Sequence, residues 1–276
     1  MSFETFKLVV DDGICTIMNR KLHRYQKIDA NFLDSLKYNY LWFSNPEDFN
    51  DPFDCKMYFD FENTPEEIEA FGREINERPE NARLKLDKSQ LRMRVKELIS
   101  NPEIFYKGDF DQNIDEVKKI GVCCFSESDS KLLMWSHYGD KHQGACLTFD
   151  ADCDKQLFLV FPFCVEYLTK FPKINWIKDR GKFKLRRFAF ATKSLEWSYE
   201  EEVRIIRDDR LPPYREKVKF DKKSLIAIKF GYKSSMDDRL RTIDTIYKAG
   251  GYEHVRFYLA KLKKFDFGVE YEEIFE

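Results

Sequence analysis

In the stretch LEWSYEEEVRII, residues 195–206, acids and a base alternate at Glu200, Glu202 and Arg204. Read as an extended segment over 197–206, alternation places those three side chains on one face. Trp197, Tyr199, Val203 and Ile205 then share the other, and Glu201 points with the aromatics. Read instead as a helix end, Glu200 and Arg204 form a plain i,i+4 pair. The VRII run favours a strand from Val203 onward. Two carboxylates and a guanidinium where a loop meets a sheet suit a functional site. With Asp51 the same acids could serve a metal-dependent nuclease or hydrolase, although no compact metal-ligand spacing accompanies them. A solvated strand edge is the plain alternative.

Three other stretches hold residues that core packing does not demand. LHRYQ, residues 22–26, brings His23, Arg24 and Tyr25 together ahead of a helix. In LWFSNPEDFNDPFD, residues 41–54, Asn50-Asp51-Pro52 reads as a turn. In CFSESDSKLLMWSHYGDKHQGACLTFD, residues 124–150, Ser126, Trp135, His137, Tyr138 and His142 fall within a short span. On a helix, Met134, His137 and Tyr138 share one face and could meet a planar ligand by stacking and hydrogen bonding. They could equally be a half-buried packing face. A fourth stretch, 176–193, interleaves Lys182, Lys184, Arg186 and Arg187 with Trp176, Phe183, Phe188 and Phe190. Such a patch can contact phosphates and stack bases, or it can be an amphipathic helix with solvated cations.

These residues need elements to position them. A hairpin around Asp11-Asp12-Gly13 joins strands at 6–10 and 13–19. An extended segment at 22–26 precedes a helix over 29–39, capped by Asp29. A strand covers 40–44. The pattern Thr64-Pro65-Glu66-Glu67 is a capping box that opens a helical insertion of about 62–120, with helices at about 65–77, 88–100 and 111–119. Strands return at 121–126 and 144–150, on either side of a helix over 131–139. The apolar run 157–168 reads as a strand pair or one long bent strand, and 176–193 as a basic helix. Strands at 203–207, 216–220, 225–231 and 255–262, a helix over 235–251 and an acidic tail complete the chain. The irregular mixture implies an α+β fold, with a mixed or antiparallel central sheet, flanking helices and that insertion, in a single domain over 1–276.

The chain has 276 residues, 43% of them hydrophobic and 16% aromatic, enough for a substantial core. Its 47 basic and 49 acidic residues leave a net charge of −2, which gives no global pull toward nucleic acid or a membrane. No apolar run approaches the roughly 20 residues of a membrane helix. MSFETFKLVVDDG lacks the pattern of a secretory leader. The seven cysteines are scattered without a CxxC pair and read as reduced, mostly buried thiols of a cytoplasmic protein. Cys123, Cys124, His137 and His142 lack the spacing of a zinc site. GxGxxG, Walker A, HExxH and GxSxG patterns are absent, and with 11 glycines a phosphate-cradling loop is not expected.

The ordered set YLWFSNPEDFNDPFD, GVCCFS, LMWSHYGDKHQGACLTFD, Lys193 and Trp197-x-x-Glu200-x-Glu202-x-Arg204 resembles the bacterial family known as domain of unknown function 2971, across residues 22 to about 262. More weakly, LHRYQKIDANFLDSLKYNYLWFS resembles the strand–helix–strand opening of ADP-ribosyltransferase-type domains, which close with a late Glu-x-Glu pair. This second resemblance implies an ADP-ribosyltransferase-like fold and an NAD-consuming effector enzyme of bacterial defence or toxin systems, with a protein or nucleic-acid acceptor. It implies a catalytic set of Glu202, Glu200, His137 and Tyr138. NAD would be held by His23 or Arg24, with Tyr25, Ser44, Ser126, Trp135 and Arg204. No Ser-Thr-Ser triplet is present. The competing classes are a non-catalytic nucleic-acid-binding module using 176–193 and the metal-dependent hydrolase.

Overall fold

The computed structural model describes residues 20–79, 83, 85–101, 120–158, 162–179, 188–207 and 216–274. Strand β1 (Lys21–Gln26) leads into helix α1 (Ala30–Lys37). Asp29 caps that helix by accepting from Phe32 N, and Phe32 and Leu36 on its inner face are buried. Strands β2 (Tyr40–Phe43) and β3 (Phe59–Asp60) follow, then helices α2 (Pro65–Glu77) and α3 (Lys88–Ser100). The capping box is present at α2: Thr64 accepts from Glu67 N, and Glu67 accepts from Thr64 N. Asp87 and Gln90 make the same device at α3.

The remaining strands are β4 (Gly121–Ser126), β5 (Ala145–Asp150), β6 (Pro162–Cys164), β7 (Glu166–Leu168), β8 (Ile174–Asn175), β9 (Thr192–Ser194), β10 (Glu202–Arg207), β11 (Glu216–Lys219), β12 (Leu225–Phe230), β13 (Arg256–Leu262) and β14 (Val269–Glu273). Helices α4 (Leu132–His137), α5 (Lys155–Phe158) and α6 (Met236–Ala249) lie among them. An eight-stranded sheet runs in the order β14-β13-β12-β5-β1-β4-β10-β6. Its β12–β13 pair is parallel and its other neighbours are antiparallel, so the sheet is mixed and the fold is α+β.

Alternation gives the sheet two distinct faces. Leu22, Phe125, Leu147, Phe149, Val203, Ile205, Ile228 and Phe230 form one core with Phe32 and Leu36 of α1 and Ile243 and Ile246 of α6. On the opposite face Tyr25, Cys146 and Ala260 pack with Met134 and Trp135 of α4. The sheet opens at its middle. β1 pairs with β5 from Lys21↔Asp150 to Gln26↔Ala145, and β4 pairs with β10 along its whole length. Yet β1 and β4 meet only at His23↔Ser126. Arg24 crosses the gap, its Nη1 donating to the Cys124 carbonyl at 3.2 Å and to Cys123 Sγ at 2.7 Å. Ser44 and Val122 exchange backbone hydrogen bonds of 2.9 Å beside it. No helix among the described residues is long and apolar enough to cross a membrane.

Several sequence expectations change here. The run 157–168 is neither one strand nor a simple pair: Asp154 accepts from Leu157 N and starts the short helix α5, after which β6 and β7 are separate strands. Residues 176–179 form a turn and Lys193 lies on β9, because β9 pairs with β7 at Tyr167↔Lys193. The acidic tail contributes strand β14, with Val269 buried. Cys55, Cys123, Cys124, Cys146 and Cys153 are free thiols, whereas Cys164 at the end of edge strand β6 is disulfide-bonded, contrary to the expectation of reduced cysteines throughout. The hairpin at 6–19 and the helix at 111–119 lie outside the described residues.

The Trp135 ring is fully buried beside Gly139 and Gly231. A Cβ on Gly231 would stand 2.1 Å from the His142 carbonyl oxygen and 3.1 Å from the Trp135 ring. Gly231→Ala therefore lowers stability by about 1–3 kcal/mol through overpacking. Leu133→Ala, at an exposed position, stays within about 0.5 kcal/mol of the parent. Urea unfolding midpoints of the two variants check both values.

Candidate functional site

Two turns and two strands carry charged side chains to one point beneath the opened sheet. The stretch Leu195–Glu200 is a tight 3-10 turn, not an extended run, and β10 begins only at Glu202. Between them Glu201 adopts left-handed backbone, φ 44° and ψ 54°. That conformation costs a non-glycine residue about 1–2 kcal/mol. It is held because the Glu201 carbonyl accepts from Glu127 N at 2.9 Å and its carboxylate pairs with Lys131 at 2.7 Å. The reversal sends Glu200 and Glu202 inward together and leaves Glu201 half-buried at the surface side. Cys55, directly after Asp54, also has positive φ, 54°. Strain thus sits at both turns that deliver acids, as it does at functional sites.

Arg204 is fully buried and occupies the centre. Its Nε and Nη2 donate to the two Glu202 oxygens, each at 2.8 Å. Its Nη1 and Nη2 donate to Asp54 Oδ1 and Oδ2 at 2.7 and 2.8 Å, and Nη1 also reaches the Phe190 carbonyl at 3.2 Å. Lys193 Nζ lies 2.6 Å from Glu200 Oε2, 3.3 Å from Glu202 Oε2 and 3.6 Å from Asp54 Oδ2. Tyr138, at the end of α4, donates its hydroxyl to Glu200 Oε1 at 2.6 Å. Tyr167 OH accepts from Glu202 N at 2.8 Å.

The two glutamates differ sharply in proton affinity. Burial alone would raise the Glu202 carboxyl, but Arg204, Lys193 and hydrogen bonds outweigh it and hold Glu202 at about 2. Burial raises the Glu200 carboxyl, and the Glu202 charge adds to that, against the opposing pull of Lys193 and Tyr138. Burial would lower the Lys193 ammonium, yet Glu202, Glu200 and Asp54 together raise it above its ordinary value. Burial and then Glu200 raise the Tyr138 hydroxyl. Neighbouring carboxylates with separated proton affinities are the usual arrangement for acid–base or charge-stabilising work.

A cleft of about 480 Å³ opens over this cluster, along the split between β1 and β4. His23, Arg24, Tyr25, Ser44, Ser126, His137, Tyr138, Glu200 and Glu202, all expected site residues, line it together with Asn50. Glu202, Ser126, His23 and Thr148 sit side by side across four strands in register. His23 is held neutral, lowered to about 4 chiefly by burial, with Nδ1 3.1 Å from Thr148 Oγ1. His137 and Tyr199 hydrogen-bond at 2.9 Å, and Trp197 lies within ring contact of both.

Two expected ligand contacts are corrected. Trp135 is fully buried, edge-on to Tyr25, with Nε1 bonded to the Asp129 carbonyl, so it supports the cleft from below. Arg204 is likewise enclosed, its donors filled by Asp54, Glu202 and Phe190. Asp51 lines a smaller groove beside Phe53 and Phe171 rather than this cleft. Lys182, Lys184, Arg186 and Arg187 lie outside the described residues. Sequence reasoning gave no role to Lys193 or Asp54, and Lys193 was signalled only by its place in the family pattern. Among the described residues, no three His, Cys, Asp or Glu side chains are placed to hold a metal ion.

Glu202 ties pH to stability. Its folded proton affinity is depressed from 4.5 to about 2, so its contribution is present above about 4.5 and is lost as pH falls toward about 2. Glu202→Gln leaves Arg204 under-compensated and costs about 3–5 kcal/mol at neutral pH. The difference from the parent shrinks across that acid window, where the parent carboxylate itself protonates. Urea titrations at a series of pH values measure it.

Residues 134–205 match the family described as "Protein of unknown function (DUF2971)", a narrower span than the motif resemblance over 22–262. No curated protein and no solved structure matches the chain, so the likeness to ADP-ribosyltransferase domains gains no support from them. The matched span runs from α4 to β10 and includes Tyr138, Lys193, Glu200, Glu202 and Arg204. Over that span the chain is similar to the DUF2971 family.

Proposed function

We propose that the cleft cleaves an N-glycosidic bond of a nucleotide-type substrate, NAD being the candidate, in the manner of an ADP-ribosyltransferase or NAD-consuming effector. One observation carries this reading: the cleft is polarised. On the β10 side stands Glu200, a carboxylate with raised proton affinity inside a cluster of three acids and two bases. On the β1 side stands Arg24, which has no carboxylate partner among the described residues and whose Nη1 and Nη2 reach only Cys123 Sγ and the Cys124 and Trp42 carbonyls. A guanidinium whose charge no carboxylate neutralises suits a phosphate group.

NAD, as substrate, supplies a ribose–base bond; its cleavage releases nicotinamide with the bonding electron pair and builds positive charge on the sugar, which water or an acceptor nucleophile then captures. Glu200 stabilises that charge electrostatically from a largely dry site. Tyr138 and Lys193 fix its two oxygens, at 2.6 Å each. Two cations, Arg204 and Lys193, hold Glu202, so it acts as a positioning residue, whereas Glu200, held by one cation and a neutral hydroxyl, takes the role that the sequence pattern assigned to Glu202. Ser44, Asn50 and Ser126 offer hydrogen bonds to sugar hydroxyls, and the His137 ring, backed by Trp197 and Tyr199, gives the leaving base a stacking surface.

The alternatives draw less support. Lys193 Nζ lies among Asp54, Glu200 and Glu202, in the position a divalent cation would need. The nucleic-acid reading rests on residues outside those described. The test is release of free nicotinamide from NAD by the purified chain, alone and with cell lysate. Glu200→Gln lowers turnover by about 10²–10³-fold, the scale of losing one preorganised charge-stabilising group. Arg24→Ala raises KM. Turnover in the parent rises with pH as Glu200 ionises, and its acidic limb lies above the range of an ordinary glutamate. No nicotinamide release together with no NAD-induced shift in Tm overturns the reading.

A further inference from the structure

The hairpin that ends β13 and begins β14 carries a feature unlike the rest of the surface. Phe265 is 92% exposed and Phe267 is 98% exposed, with Leu262 half-exposed at its base. Large aromatics held this far into water at a turn mark an interaction site. Lys263, Lys264 and Asp266 are the charged residues of the tip, a surplus of one positive charge, since Lys261 is paired with Glu272. Lys263 pairs with Asp266 at 3.5 Å, Lys261 pairs with Glu272, and Lys264 Nζ lies 5.3 Å from the Phe265 ring centroid. The hairpin belongs to the ordered sheet, with β13 and β14 in register from Tyr258↔Glu273 to Leu262↔Val269.

We propose that this tip docks the protein on an anionic lipid surface, with Phe265 and Phe267 entering the interfacial layer and the lysines facing headgroups. Shape and area favour lipid over a protein partner. Two phenylalanine rings offer about 150–250 Å² each, short of the roughly 800 Å² per side of a stable protein interface. A projecting knob needs a complementary pocket in a protein, whereas a fluid interface admits it without one. Lys264 has the flexible aliphatic stem that lets an ammonium follow headgroups while its neighbour's ring is buried. Anionic lipid adds attraction for each lysine near the surface and makes attachment salt-dependent. This is attachment from the surface and requires no spanning helix.

The full chain is sedimented with phosphatidylcholine vesicles and with phosphatidylserine–phosphatidylcholine vesicles. The parent pellets with the anionic vesicles, less so at high salt. Phe265→Ser/Phe267→Ser weakens that binding about tenfold or more at unchanged Tm, as removal of exposed side chains predicts. Lys263→Glu/Lys264→Glu abolishes the preference for phosphatidylserine. Failure of the parent to pellet with either vesicle overturns the proposal, as does equal pelleting by the Phe265→Ser/Phe267→Ser variant. Self-association of the parent that the same variant abolishes, without vesicle binding, would identify a second copy of the chain as the occupant and overturn it too.

Discussion

The arrangement of the cleft depends on one buried guanidinium. Removing Arg204 from water costs several kcal/mol, and a buried ion recovers that only when every donor is matched. Here each of its N–H groups has an acceptor: Glu202 takes Nε and one Nη2 hydrogen, Asp54 takes one from Nη1 and one from Nη2, and the Phe190 carbonyl takes the last. That saturation links β10, the loop at Asp54 and the segment before β9, elements that no local interaction would hold together. It also leaves a charge imbalance. Asp54, Glu200 and Glu202 face Arg204 and Lys193, three acids against two bases. Bidentate pairing assigns Arg204 to Asp54 and Glu202, which leaves Glu200 with Lys193 alone, an ammonium it shares with those two acids. Burial raises the proton affinity of Glu200, the Glu202 charge adds to it, and both glutamates reach the cleft.

The opened sheet provides the space. A strand pair that parts after one register point leaves backbone groups facing a gap, which is costly unless they find partners. The Cys124 carbonyl finds Arg24, and Val122 finds the Ser44 backbone. These substitutes pin the gap at a fixed width instead of letting it close. Because the strands separate, residues from both faces reach the same cavity. Arg24 and Phe125 belong to the parity of the α1–α6 core, while His23, Tyr25 and Ser126 belong to the other, and all five line the cleft. In a continuous sheet those two sets would never meet.

What the sequence made legible was local. Asp29, the Thr64–Glu67 box, the VRII strand and the shared face of Met134, His137 and Tyr138 depend on neighbours within a few residues, and propensity and periodicity report such neighbours. Glu200, Glu202 and Arg204 stand out by a period-2 pattern that holds on β10 for Glu202 and Arg204 but not for Glu200, since 195–200 is a 3-10 turn. They converge because Glu201 reverses the backbone, a left-handed step that nothing in its side chain announces. Asp54 was illegible for a different reason. Its partner Arg204 is 150 residues away, and a turn-rich loop gives no sign of which of its acids will be buried. Lys193 was hidden inside a segment read as a basic helix, and its pairing with β7 could not be read from the segment alone.

The same electrostatics decide what kind of chemistry the pocket favours. Three carboxylates near one another could be neutralised by a divalent metal, by shared protons or by protein cations. Lys193 already stands within 2.6–3.6 Å of all three, and Arg204 grips two of them from below. A metal entering that point would have to displace an ammonium whose proton those carboxylates hold more firmly than usual. A positive centre formed above Glu200, within the cleft, would share that carboxylate with Lys193 and need not displace it. It would complete the balance that the two bases leave one charge short, and it would do so only as the charge develops. Stabilisation that appears with the transition state and is absent from the ground state lowers a barrier without tightening substrate binding, which is the requirement for catalysis. The charge imbalance around Glu200 is therefore what links the buried Arg204 network to the reactivity proposed for the cleft.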